Sequence, residues 1–502
     1  MDLSGFPSAE VEFDRTAQLV GTADGVRALA ADPAITDLLV LSHGWNNDHL
    51  TARILYGAIA GSLRAVIDPA PMPAGRRIAL ACVLWPSRQF LQFERGDGGA
   101  AAAGSPVGTG DIVDRLEVLR DLFPEEKVTI DVAAGLVPGL TDRATARTAF
   151  VAGLLSLVTA GAEDREDAST QLFALPGVTL LDRLAKPAFG PGKPAVAGGA
   201  AGLGGLAGGI LGGAKNLLDY LSYYEMKARA GVIGEQGLSP LLREIARPGL
   251  RIHLAGHSFG GRLVSAAAKP LPAGSLATMT LLQAAFSHYG FSNDWKDDAG
   301  PQSGAFRGVL DSRAVSGPIL ITHTANDLAV GVAYAIASRI AGQIAAGIGD
   351  ATSVYGGIGR NGAQKTPEAV TAELLPVGGH YDWQPRVPHN LRADRFVHGH
   401  TDVAGAGDRS RGVVGDGRDV TQAGDVHRFT GGPRPNRGRN RRRAAHTGTA
   451  AQALGEEERS CKGKADGSRG SGGDCTRAGT HSSAPSTGSK PRCSCSSSRA
   501  RS

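Results

Sequence analysis

The chain has 502 residues, 71 of them glycine, and a formal net charge of +5. That charge is unevenly held: residues 403–502 carry 19 Lys+Arg against 9 Asp+Glu, so residues 1–402 are net acidic and the basic balance belongs to the tail alone. Cys82 is the one cysteine of the body and reads as a small core residue, while Cys461, Cys475, Cys493 and Cys495 have no metal-ligand spacing, so the composition offers neither a disulfide framework nor a zinc site.

In chain order, residues 11–20 alternate loosely and predict a first strand, and residues 22–32 predict a short helix with Val26 and Leu29 inward. Asp37–Ser42 is an apolar strand that runs straight into His43-Gly44-Trp45-Asn46-Asn47-Asp48. Residues 50–66 keep helical spacing through Leu55, Ile59 and Leu63, and residues 77–84 are a third strand closed by Trp85-Pro86-Ser87. Strands that are apolar throughout, rather than alternating, predict a mostly parallel central sheet with helices on both faces, an α/β body over residues 1–404.

Residues 88–214 interrupt this rhythm. Helices are predicted at 111–122 and 144–160 with no strand, and the helical pattern resumes from Lys215 towards Ala246. An insertion of this size is where a cap or lid sits. Within it, residues 195–214 are twenty without a charge, nine of them glycine, which makes a linker or tight soluble hairpin a cheaper reading than a membrane span. The first residues show no basic start and no apolar run, which with the single body cysteine points to a reducing cytoplasm.

Residues 251–255 then predict a short buried strand and 262–268 the opening of a helix, with Gly256-His257-Ser258-Phe259-Gly260 between them. Among so many glycines the bare Gly-x-Ser-x-Gly pattern says little. The apolar strand before it and the Ala-rich helix after it give it meaning as a nucleophile elbow, in which glycines admit a turn that any Cβ would block. The remaining strands are predicted at 276–285, Ile319–His323 and 390–397, with a helix over 329–346 and the sequence His398-Gly399-His400-Thr401-Asp402 at the end.

A serine nucleophile needs a general base and an acid that orients it, and around such a turn the acid and then the histidine follow in the chain. Asp327, in the polar turn after Ile319–His323, fits the acid, although it also fits the cap of the helix that follows; Asp382 is the alternative. His400 fits the base, with His398 its rival, because Gly399 lets the chain turn and Asp402 can brace it. His257 adjoins the serine but its ring is directed elsewhere by the turn, His323 ends a strand, and His380 and His389 precede the last strand. The backbone N–H groups of Phe259 and Trp45 are the expected oxyanion donors, with the Trp45 indole on the pocket wall.

The combination of Leu-Ser-His-Gly-Trp-Asn-Asn, Leu-Trp-Pro-Ser, Ala-Gly-His-Ser-Phe-Gly-Gly-Arg, Ala-Asn-Asp327 and His400-Thr-Asp-Val resembles the α/β-hydrolase superfamily over about residues 10–404. It is especially similar to bacterial predicted serine esterases whose early loop reads His-Gly-Tyr/Trp-Asn. The resemblance implies an eight-stranded, mostly parallel sheet and acyl transfer to water without cofactor or metal. It does not imply a substrate, and a small-molecule acyl ester is the expectation from the site itself. Peptidase, thioesterase and acyltransferase chemistry use the same groups, and a non-catalytic scaffold binding a partner or a membrane is the competing class. The sequence departs from the family after His400, where no apolar helix follows, which would leave part of the sheet uncovered. Residues 405–502 cannot bury a core and are expected to be disordered. Their Arg434–Arg443 run lacks interleaved aromatics, so no specific nucleic-acid binding is expected, and an out-of-frame translation explains the tail better.

Overall fold

The structure is a computed structural model that describes residues 2–68, 75–87, 107–158, 169–185, 209–297, 300–327, 329–330, 340, 351 and 354–402. The basic tail, most of residues 195–214 and most of the helix expected over 329–346 lie outside the described residues.

Ten strands form one sheet. Strands β1 (Asp2–Leu3) and β3 (Leu19–Val20) both pair antiparallel with β2 (Phe6–Phe13), and every other pairing is parallel. Those parallel strands are β4 (Asp37–Ser42), β5 (Ile78–Leu84), β6 (Arg251–His257) and β7 (Thr278–Leu282). A separate antiparallel hairpin, β8 (Trp295–Asp297) with β9 (Gly300–Gln302), intervenes before β10 (Ile319–His323), β11 (Val370–Glu373) and β12 (Pro388–Arg392) rejoin the sheet. The strand order is β1-β2-β5-β4-β6-β7-β10-β12-β11. The α/β class with a mostly parallel sheet is as the sequence predicts.

Three expectations are corrected. The first long strand is Phe6–Phe13, not 11–20, because Asp14 turns the chain: its Oδ1 accepts from the amides of Thr16 at 2.8 Å and Gln18 at 2.9 Å. The last strand is Pro388–Arg392, so His389 lies within it and not before it. The sheet has ten strands and not the eight that the resemblance implies; β6, β7, β10 and β12 are buried along nearly their whole length, and the edge strand β11 is exposed.

The burial follows from side chains on both faces. One face of β4 and β5 (Leu38, Val40, Ala79, Ala81, Val83) joins the main core, and the other (Leu39, Leu41, Leu80, Cys82, Leu84) packs against α2 (His49–Ile67) through Ala52, Tyr56, Ala60 and Leu63. Helix α1 (Asp24–Ala31) buries Val26 and Ala30 on the main-core side. At the amino end of β4, the buried Asp37 meets Arg76, Arg251 at 2.9 Å and His253 at 3.0 Å. Burial alone would raise its carboxyl, but those donors hold it far below the ordinary carboxylate range.

Between β5 and β6 the described residues are helical, as expected of the insertion: α3 (Thr109–Leu122), α4 (Lys127–Leu136), α5 (Ala144–Leu155), α6 (Ser169–Ala174) and α7 (Gly177–Leu184). Helix α8 (Gly209–Val232) continues through a π-turn at Ile233–Leu238 into α9 (Ser239–Ile245). It buries Leu217, Tyr220, Leu221, Tyr224 and Met226 and packs on α3, on α7 and on α10 (Phe259–Ala268). The insertion is thereby fastened to the helix that follows Ser258. Among the described residues, α2 is the one helix long and apolar enough to cross a membrane by length and composition, and its Tyr56 and Leu63 face lies on the sheet.

Candidate active site

Ser258 sits between β6 and α10 at φ 57° and ψ −125°, a left-handed conformation that costs a non-glycine residue of order 1–3 kcal/mol. The surroundings enforce it. The Ser258 N–H donates to Leu282 O on β7 at 3.1 Å, and its carbonyl accepts from Gly261 at 2.9 Å and Ala285 at 3.0 Å. Neighbouring backbone leaves no room for side chains: a Cβ on Gly256 would stand 2.2 Å from Gly260 O, and one on Gly260 would stand 2.2 Å from Ser42 O. The motif's glycines thus let β6 and α10 close on each other and on β4, and the strain falls on the serine.

His400 Nε2 lies 2.8 Å from Ser258 Oγ, and His400 Nδ1 lies 2.9 Å from Asp327 Oδ2. A carboxylate can only accept, so Nδ1 carries the proton and Nε2 is left to take the serine proton. Asp327 is fully buried, and its second oxygen accepts from Val330 N–H at 3.0 Å. It is therefore both the helix cap and the partner of the imidazole, one oxygen for each. His398 is exposed; its backbone N–H donates to Asp402 Oδ2 at 3.1 Å, which is the brace expected of Asp402. Asp382 is exposed and its charge acts on His389. The structure brings Ser258, His400 and Asp327 together and brings neither His398 nor Asp382 into that chain of hydrogen bonds.

Chain order did not reveal how the acid and base loops are fastened. Asp394 Oδ1 accepts from Thr324 Oγ1 and from Ala325 N–H, each at 2.9 Å. Asn326 Nδ2 donates to Val397 O at 2.9 Å, and Arg360 Nη1 donates to the carbonyls of Ala325 and of Asp327. Asp394 is one of several charged residues after β12, and only the fold shows which loop it reaches.

The early loop meets the serine from the other side. A Cβ on Gly44 would stand 2.6 Å from Ser258 Cβ, so the main chain leading to the Trp45 amide runs against the nucleophile. His43 supports this loop: buried and stacked on Trp85 at 5.4 Å, it donates from Nδ1 to Gly44 O at 2.9 Å. Burial pushes its pKa down to about 4. Ser87 Oγ stands 2.9 Å from Gly44 O, and Ser87 O accepts from Asn46 N–H at 2.8 Å, so the Trp-Pro-Ser turn holds the His-Gly-Trp-Asn-Asn loop. The half-buried Trp45 ring packs on Phe259 at 5.9 Å and on Tyr223 of α8 at 6.2 Å. The Phe259 N–H opens α10 and so belongs to the first turn, whose amides have no intrahelical acceptor.

Chemically, this is a hydroxyl hydrogen-bonded to an imidazole whose other nitrogen meets a buried carboxylate, at the first turn of a helix. No family model, no curated protein and no solved structure matches the chain.

Proposed function

We propose that the chain is a serine hydrolase of the α/β-hydrolase type that cleaves a carboxylic ester of a small-molecule substrate. The observation that carries this reading is the continuous relay from Ser258 Oγ through His400 to Asp327, with the serine held at positive φ between a strand and a helix. In the proposed mechanism Ser258 Oγ attacks the acyl carbon as His400 Nε2 takes its proton. Phe259 N–H and Trp45 N–H bind the oxyanion, Asp327 stabilises the imidazolium, and His400 protonates the departing alkoxide. Water, deprotonated by His400, then releases the acid and restores Ser258. The buried strands around the serine and the brace of the early loop support this because such donors must be in place before charge develops. No step calls for a metal or cofactor.

The test is fluorophosphonate labelling together with hydrolysis of p-nitrophenyl esters of increasing acyl length. Labelling and turnover that both vanish in Ser258→Ala are expected. A folded wild-type protein that neither labels nor turns over any ester would overturn the proposal and leave the scaffold reading in its place.

A further inference from the structure

Resting on that reading, we propose that His257 is a positioning residue for the general base: its imidazole holds the His400 main chain so that His400 Nε2 stays in line with Ser258 Oγ. His257 Nε2 lies 2.8 Å from the His400 carbonyl oxygen, and the two rings are 5.0 Å apart. A carbonyl only accepts, so Nε2 carries the proton. The other nitrogen, Nδ1, has no hydrogen-bond partner and faces the early loop, 3.2 Å from where a Cβ on Gly44 would stand. The proton-bearing nitrogen of His257 is thus engaged by the His400 main chain, and the residue is 6 % exposed. Burial and the adjacent His400 push its pKa down to about 3, so the donor stays neutral and keeps a single proton on Nε2.

The need for such a hold follows from the loop. His400 lies on the His398–Asp402 turn, in which the His398 N–H donates to Asp402 Oδ2 and the Asp402 N–H donates to Gly399 O. Asp327 restrains the His400 ring at one point only. A second hold on the backbone fixes the ring's origin as well as its tilt. Because His257 is the residue before Ser258 on β6, the nucleophile and the anchor of its base hang from the same strand end. Any shift of β6 then carries both together.

The experiment compares His257→Gln, His257→Asn and His257→Phe. The Gln amide nitrogen reaches the place of Nε2, whereas that of Asn reaches only the place of Nδ1. His257→Gln should keep kcat within about threefold of wild type, while Asn and Phe lose on the order of 100-fold in kcat with KM within about twofold. Fluorophosphonate labelling rates should fall in step. Asn equal to wild type, or Gln and Asn equally impaired, overturns the positioning role while leaving the hydrolase reading intact. An inactive, unlabelled wild type overturns both. Should the variants fail to fold, nitrogen-15 spectra of the wild-type imidazoles decide: a neutral His257 with its proton on Nε2 is expected, and a proton on Nδ1 refutes the proposal.

Discussion

Asp327→Asn separates orientation of the base from stability of the fold, because the two carboxylate oxygens have different partners. Oδ1 accepts from Val330 N–H at 3.0 Å and Oδ2 faces His400 Nδ1 at 2.9 Å. In the Asn variant the remaining oxygen best keeps the Val330 donor, which turns the amide NH2 towards His400. Nδ1 must then accept, the proton moves to Nε2, and the imidazole offers Ser258 a hydrogen where it needs a lone pair. A base in the wrong tautomer costs about 10⁴-fold in kcat, or about 5 kcal/mol on the barrier. The cap survives, so the unfolding free energy should stay within about 1 kcal/mol of wild type. Asp327→Ala, by contrast, loses both functions and should be as inactive and less stable. The assay is ester turnover beside urea denaturation of the same samples. An Asn variant within tenfold of wild-type kcat would show that Asp327 does not set the tautomer and would refute the assignment of its role.

Other consequences are as direct. His400→Ala should abolish fluorophosphonate labelling while His398→Ala leaves it within about twofold, since the exposed His398 lies outside the relay; the reverse result would exchange their roles. Asp394→Ala strips the acceptor from Thr324 and Ala325, so it should lower stability by roughly 2–4 kcal/mol and reduce turnover with it, read by thermal melting and kcat on one preparation. Gly44→Ala places a Cβ 2.6 Å from Ser258 Cβ; with the Trp45 amide displaced, kcat should fall by about 100-fold or more, and an active variant would remove Trp45 from the oxyanion site. Stability should also fall on the acid side. The folded state pushes His43 down to about 4 and His257 down to about 3 through burial, against about 6.5 in the unfolded chain. Both are held neutral, so unfolding takes up protons; their contribution is complete above pH 6.5 and shrinks by about 2 kcal/mol each between pH 6.5 and 5. Urea midpoints that do not drop over that interval would mean that these rings are not buried neutral.

What the sequence makes legible follows how local each constraint is. The turn at Ser258 is written in consecutive residues: an apolar strand, two glycines that nothing larger can replace, and a helix start. Asp327 and His400 are legible at one remove, because each follows a strand and the topology of a parallel sheet brings strand ends to one edge. Elements whose polarity is satisfied at long range are not legible. Strand β12 contains His389 and the buried Asn390, whose side chain exchanges hydrogen bonds with Ala363 N–H and O, so its first residues read as polar and the expected strand starts late, at 390. Strand β11 is an exposed edge with no apolar pattern to announce it. The first strand is displaced in a sequence reading because the Asp14 turn breaks what looks like one alternating run.

The same distinction explains why the site's anchors escape a reading by motif. His257, Asp394 and Arg360 each bond to main chain of a loop far away in sequence: His400 O, Ala325 N–H, and the carbonyls of Ala325 and Asp327. A backbone group is present at every residue, so no side-chain pairing marks the partner in the sequence. Yet these contacts decide whether His400 lies within 3 Å of both Ser258 and Asp327 or the three lie merely on the same rim. A misplacement of about 1 Å is worth about 100-fold in rate. Activity should therefore be as sensitive to the residues that grip the loops as to substitutions on the rings that line the site, and a paired scan of His257, Asp394 and Arg360 against Trp45 and Tyr223 measures that ratio.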